Sequence, residues 1–191
     1  MVTPDFSNFP VLQTPRLVLR KLEKDDAPGV FRLRSDAAVM KYIPRPLAVN
    51  INDAIIHIEM IQDLVAKNEV INWVICEKDD LSTFLGIIGI YRMDIKNWRA
   101  EVGYMLHSQY HGKGFISESL KAVLTYAFQE LQFHSIQALI DPENVASENV
   151  LKKCGFSKEA HLREYEYYDG RFWDTVIYSI LSSAYDDQYQ F

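Results

Sequence analysis

Cysteine is scarce in this chain: 191 residues include two, Cys76 and Cys154. Both lie in apolar runs without metal-ligand spacing, which argues against a disulfide scaffold or a zinc ribbon. They read as reduced core residues of a cytosolic protein. The five histidines are scattered, with no pair at helical metal spacing, so no metal is expected. There is no long basic run and the net charge is −6, which argues against nucleic acid as a partner. No apolar stretch is long enough to cross a membrane. The opening Met1-Val2-Thr3-Pro4-Asp5-Phe6 lacks the basic and apolar pattern of a signal peptide. Internal repeats, low-complexity tracts and an inter-domain linker are also missing. A single cytoplasmic domain with neither a nucleic-acid nor a membrane partner is therefore expected.

The chain is 48% hydrophobic and 13% aromatic, which excludes a disordered chain and suffices for one full core. Residues 1–13, broken by Pro4 and Pro10, read as an arm. Leu17-Val18-Leu19-Arg20 is a short strand. Asp25 or Asp26 caps a helix with Pro28 in its first turn, reaching to about Asp36. Asn52 is the expected cap of a second helix, with Ile55, Ile58, Ile61 and Val65 as its apolar stripe. Strands follow at Ile71–Cys76 and Phe84–Arg92, and a third ends at Leu106. A long helix reaches about Leu131, and Ile136–Ile140 is a further strand. A helix that Asn144 caps and Gly155 ends comes next. Two aromatic strands joined by Asp169-Gly170, a hairpin signal, close the domain near Leu181. Residues 182–191 read as a tail. The order β-α-α-β-β-β-α-β-α-β-β predicts one α/β domain, residues 14–181, with a mixed sheet and helices on both faces.

The most informative stretch is Gln109-Tyr110-His111-Gly112-Lys113-Gly114. It follows the apolar Glu101-Val102-Gly103-Tyr104-Met105-Leu106 and leads into the long helix, whose Leu120, Val123, Leu124, Ala127 and Leu131 recur at helical spacing. Two glycines thus sit where a strand turns into a helix. Glycine admits a close backbone approach, and a helix N-terminus offers free N–H groups and partial positive charge. Such a junction can hold phosphate oxygens or be an ordinary tight turn.

Gln109-x-x-Gly112-x-Gly114 resembles the acetyl-CoA signature of the GCN5-related N-acetyltransferases. Ala100–Leu106 before it, and Asn144-x-x-Ser147-x-x-Val150-Leu151-x-Lys153-x-Gly155-Phe156 after it, resemble the ribosomal-protein-alanine acetyltransferase (RimJ/RimL-type) branch. The opening Thr14-Pro15-Arg16-Leu17-Val18-Leu19-Arg20 and the closing Arg163-Glu164…Asp169-Gly170-Arg171…Asp174 extend the likeness over nearly the whole chain. The resemblance implies a mostly antiparallel sheet whose central strand pair splays apart. It implies that Gln109, His111, Gly112, Lys113 and Gly114 wrap the pyrophosphate of acetyl-CoA. Backbone at Met105 and Leu106 would hold the pantetheine, with Asn144 adding a contact beyond its capping role.

For the chemistry, the resemblance points to Glu166 as the base near the acceptor amine and to Ser147 near the thiol. Glu101, on the face of its strand shared with Gly103 and Met105, is the second carboxylate. Each also has a plain structural reading: a solvated or ion-paired strand carboxylate, or a first-turn serine. Where the superfamily's usual pattern places a tyrosine acid, this chain has Leu151. No serine or cysteine has a base placed for a covalent acetyl-enzyme, so direct attack in a ternary complex is expected. The expected acceptor is a protein or peptide N-terminal α-amine. The rivals are a small amine (amino acid, polyamine or aminoglycoside) and a non-catalytic acetyl-CoA-binding module. Either a monomer or a homodimer is compatible with the sequence.

Overall fold

The structure, a computed structural model, describes residues 3–185. Its centre is a pair of apolar strands, β3 (Ile71–Glu77) and β4 (Asp80–Asp94), joined by a turn at Lys78-Asp79. Residues Ile71–Cys76 of β3 are all buried, so the strand has no solvent face and helices must cover both sides. The remaining strands are β1 (Leu12–Gln13), β2 (Leu17–Lys21), β5 (Arg99–Leu106), β6 (Ser135–Ile140), β7 (Ser157–Tyr168) and β8 (Arg171–Leu181). The helices are α1 (Ala27–Ser35), α2 (Ala37–Met40), α3 (Ile51–Ala66), α4 (Phe115–Gln129) and α5 (Val145–Lys153). The strands form one sheet in the order β1-β2-β3-β4-β5-β6-β8-β7, antiparallel except between β5 and β6.

Trp73 of β3 meets Tyr126 of α4 edge-on at 5.7 Å. Cys76, three residues along the same strand, points to the opposite face and pairs with Phe84, whose ring lies against α1 at Gly29. α1 and α4 therefore cover opposite faces, and α3 packs beside α1.

The parallel pairing between β5 and β6 is short. It runs through Arg99–Ser135, Ala100–Ile136 and Glu101–Gln137 and then stops. Beyond it, Val102–Leu106 stays with β4 while Ala138–Ile140 stays with β8. The expected splay is thus present, and each strand is left with one unpaired backbone edge.

One local expectation needs correcting. The cap of α3 is Asn50, whose side chain accepts from the Asn52 N–H, while Asp53 accepts from the Asn50 N–H. Asn52 lies inside the first turn, because an Asn-x-x-Asp box satisfies one more helix-end donor than a cap at Asn52 would. The stripe of α3 is the expected one, with Ile58, Ile61 and Val65 buried and Ile55 half-buried against the core, and Ala54 joins it. The arm contributes β1, and its Phe6 is buried against the core. Burying such a ring stabilises a fold by roughly 1.5–3 kcal/mol. Trp73 Nε1 donates to the Pro10 carbonyl at 2.7 Å. From the expected tail, Tyr185 packs on Phe128 of α4 at 5.3 Å, and residues 186–191 lie outside the described residues.

Candidate active site

The loop between β5 and α4 begins with a single 3-10 turn, Ser108–Tyr110. Gly112 (φ +74°) and Gly114 (φ +80°) are both left-handed, a conformation that costs other residues about 1–2 kcal/mol each. A Cβ at Gly112 would meet nothing within 4 Å, so this backbone is open to whatever approaches it. α4 starts at Gly114 with no side-chain cap, leaving its first-turn N–H groups for an incoming acceptor. His111 Nε2 lies 3.0 Å from the Leu106 carbonyl oxygen and ties the loop to the end of β5. Lys113 is exposed and sits over the Tyr110 ring.

An acid in this helix turn would repel phosphate, and Glu118 is such an acid. It is turned aside: Thr14 Oγ1 donates to it at 2.6 Å, and the Arg16 backbone N–H and Nε donate at 3.0 and 2.7 Å. Burial alone would raise the Glu118 carboxyl, but these partners hold it below its ordinary value. Arg16 also donates to the Lys113 carbonyl at 3.2 Å, so the Thr14-Pro15-Arg16 segment braces the loop.

The split between β5 and β6 opens into a cleft of about 820 Å³. Its walls include residues from both faces of β5, Gly103 and Met105 on one side and Tyr104 and Leu106 on the other, so the cleft passes through the sheet. Toward α1 and α2 it is lined by Arg34, Val39, Tyr42 and Ile43. On the opposite face it is lined by the phosphate-type loop and by α5. Gly103 lies against the Tyr91 ring, to which a Cβ there would come within 3.3 Å, a tight contact. Tyr91 itself bonds to the buried Asn72, and burial pushes its phenol up to about 12.

Asn144 caps α5 by accepting from the Ser147 N–H at 3.1 Å. Ser147 is buried, and its Oγ lies 2.7 Å from the Tyr104 hydroxyl. Burial raises the Tyr104 phenol well above its ordinary value, with the bond to Ser147 opposing, so it remains protonated at neutral pH. Leu151, at the usual tyrosine position, is fully buried. Tyr104 as a partner of Ser147 is not legible in the motifs. Its alternation with Leu106 marked the face, but not that α5 would lie over that face.

Of the residues singled out in the sequence, Met105, Leu106, His111, Gly112, Gly114, Asn144 and Ser147 line the cleft. Gln109, Lys113, Glu101 and Glu166 are not part of its lining. Glu166, on β7 opposite Trp173, is ion-paired with Arg45 at 2.5 Å. Glu101 pairs with Arg92 at 2.8 Å and sits at the last register position before β5 and β6 part. Cys154 is buried, and burial pushes its thiol up to about 11, which leaves it a poor nucleophile at neutral pH.

Comparison with known proteins agrees with this geometry. The chain is 36% identical over 173 residues to the N-acetyltransferase YoaA of Bacillus subtilis, covering 91% of this chain and 97% of that protein. It is 24% identical over 168 residues, 87% of each chain, to the spermidine N(1)-acetyltransferase of Escherichia coli K12. Among solved structures, a GNAT-family acetyltransferase from Bacillus anthracis matches with a TM-score of 0.81 and 28% identity, covering 91% of this chain and 99% of that one. RimL, a ribosomal L7/L12 alpha-N-protein acetyltransferase in complex with coenzyme A, shares the fold at a TM-score of 0.81 and 19% identity, covering 90% and 98%. The acetyltransferase (GNAT) domain family matches residues 16–157. This chain belongs to the GNAT acetyltransferase family and is an N-acetyltransferase.

Proposed function

We propose that the chain transfers an acetyl group from acetyl-CoA to the α-amine of a protein or peptide N-terminus, by direct attack in a ternary complex. The observation that carries this reading is the cleft through the split sheet, with an uncapped helix N-terminus at one end and the Ser147–Tyr104 pair along its wall. The residues present suit acetyl-CoA. Gly112, Gly114 and the first turn of α4 offer N–H groups to the pyrophosphate. Where β5 leaves β6, near Met105 and Leu106, the Leu106 N–H is offered to the pantetheine while its carbonyl is held by His111, and Asn144 lines the same cleft.

The amine nitrogen bonds to the thioester carbonyl carbon and the C–S bond breaks. The departing thiolate accepts a hydrogen bond from Ser147, whose oxygen accepts in turn from the Tyr104 hydroxyl, and it takes up the proton that the nitrogen releases as the amide forms. The attacking ammonium must first lose a proton, for which Glu166 is the leading base and Glu101 the second. Both carboxylates are held by arginines, so whichever acts has to release Arg45 or Arg92, or work through water.

A polyamine acceptor fits the cleft less well. Among the described residues, Asp141 is the one acidic residue of the cleft lining, against the two cations Arg34, toward α1, and Lys153, on α5. Thiol release from acetyl-CoA, measured across peptides, amino acids, polyamines and aminoglycosides, tests the assignment. Peptides with a free N-terminus are expected to give the highest kcat/KM. A polyamine turned over faster than any peptide would contradict the acceptor class.

A further inference from the structure

Arg34, in the last turn of α1, reaches the cleft from the face opposite the phosphate-type loop. It is half-buried, and among the described residues its guanidinium makes no hydrogen bond or ion pair. Its five donors in a fixed fork are thus left for whatever enters the cleft. Its surroundings do not neutralise it. Arg45, a second cation, repels it, and Arg45 itself spends its charge on Glu166. The acid acting on it, Asp53, uses one carboxylate oxygen to accept from the Val49 and Asn50 N–H groups. His57, which feels the Arg34 charge, is pushed down to about 4, first by burial and then by Arg34, and is neutral at pH 7. The neighbouring lining, Val39, Tyr42 and Ile43, is apolar or aromatic and would shield an ion pair from solvent.

We infer that Arg34 is the anchor for a carboxylate carried by the acceptor, so that the cleft selects amines bearing an acid group within one or two residues of the nitrogen. The inference rests on the proposed use of the cleft for acetyl transfer and makes its acceptor class more specific. An α-carboxylate of a free amino acid and an acidic side chain near a peptide N-terminus present the same chemistry to a guanidinium fork. Polyamines lack it, and their positive charge is repelled.

The test uses the acetylated products, so it does not depend on turnover. Calorimetry in the presence of CoA compares N-acetylglycine with N-acetylglycinamide, and acetyl-Ser-Glu-amide with acetyl-Ser-Gln-amide. A charge-assisted hydrogen bond of this kind contributes on the order of tenfold to a hundredfold in affinity. The wild-type protein is expected to bind the carboxylate member of at least one pair at least tenfold more tightly, and the pair concerned identifies the source. Arg34→Gln is expected to remove that preference, and Arg34→Lys to keep part of it in a variant that retains the charge. No preference in either pair, a preference that survives in a folded Arg34→Gln, or an effect confined to CoA affinity would overturn the inference. If the preference holds while no amine releases CoA from acetyl-CoA, the anchor stands and the acetyl-transfer reading fails.

Discussion

Tyr104 and Ser147 lie 43 residues apart in sequence, yet their hydroxyls meet at 2.7 Å where the split sheet faces α5. Alternation along β5 places Tyr104 on that face, but only the docking of α5 makes it a partner. Under the proposed mechanism this hydroxyl pair serves the leaving group at the place where Leu151 offers no donor. Ser147→Ala is expected to lower kcat by up to roughly two orders of magnitude, the upper range for a lost hydrogen bond to a charged leaving group. Tyr104→Phe is expected to cost about tenfold or less, the equivalent of one hydrogen bond. Neither should change the KM for the acceptor much. On the amine side, Glu166→Gln should lower kcat/KM by a comparable factor at pH 7, and the deficit should shrink as pH rises and the free amine becomes abundant. A full loss in Glu101→Gln with Glu166→Gln unaffected would move the base to β5. Steady-state rates from pH 6.5 to 9 separate these outcomes.

At the scale of elements, the legible parts were those with strong local chemistry. The Asp169-Gly170 turn was readable because both residues adopt positive φ, at +51° and +78°, which few residue types tolerate. The loop into α4 was readable for the same reason. β1 was not, because two residues carry no periodicity, and the cap of α3 was displaced by two positions because Asn50 and Asn52 are equally good local candidates. The Arg45–Glu166 ion pair, spanning 121 residues, leaves no local trace in sequence.

Two expected outcomes belong to elements. Gly112→Val adds a branched side chain to the open side of the loop in a left-handed backbone. It is expected to weaken acetyl-CoA binding by calorimetry while circular dichroism still shows a folded protein, and unchanged affinity would remove the phosphate reading. His57 on α3 is the second case. Its imidazole, ordinarily near 6.5, is pushed to about 4, so the unfolded chain binds the proton more readily. The stability this adds is full above about pH 6.5 and is lost as pH falls toward 4, by roughly 3 kcal/mol at about 1.36 kcal/mol per unit. Urea midpoints at pH 7.5 and 4.5 should therefore fall less steeply in His57→Gln than in the wild-type protein. Parallel declines would contradict the burial of a neutral imidazole.

For the molecule as a whole, the sheet works as a frame with one deliberate gap. β3 and β4 are packed on both faces, β2 and β8 flank the two halves, and the gap falls where β5 leaves β6 after Glu101–Gln137. One face presents the loop, α4 and α5 to the cleft, and the other presents α1 and α2, so two substrates can enter from opposite sides and meet within the sheet. No helix among the described residues is long and apolar enough to cross a membrane. Under the proposed direct attack both substrates are present together, one on each side of the sheet. The direct test is the initial rate of CoA release at varied acetyl-CoA and peptide concentrations, with a rapid-mixing trace for the first turnover. Intersecting reciprocal plots and no CoA released before the peptide is added are the expected result. Parallel plots, with a burst of CoA equal to the enzyme in the absence of any amine, would contradict it.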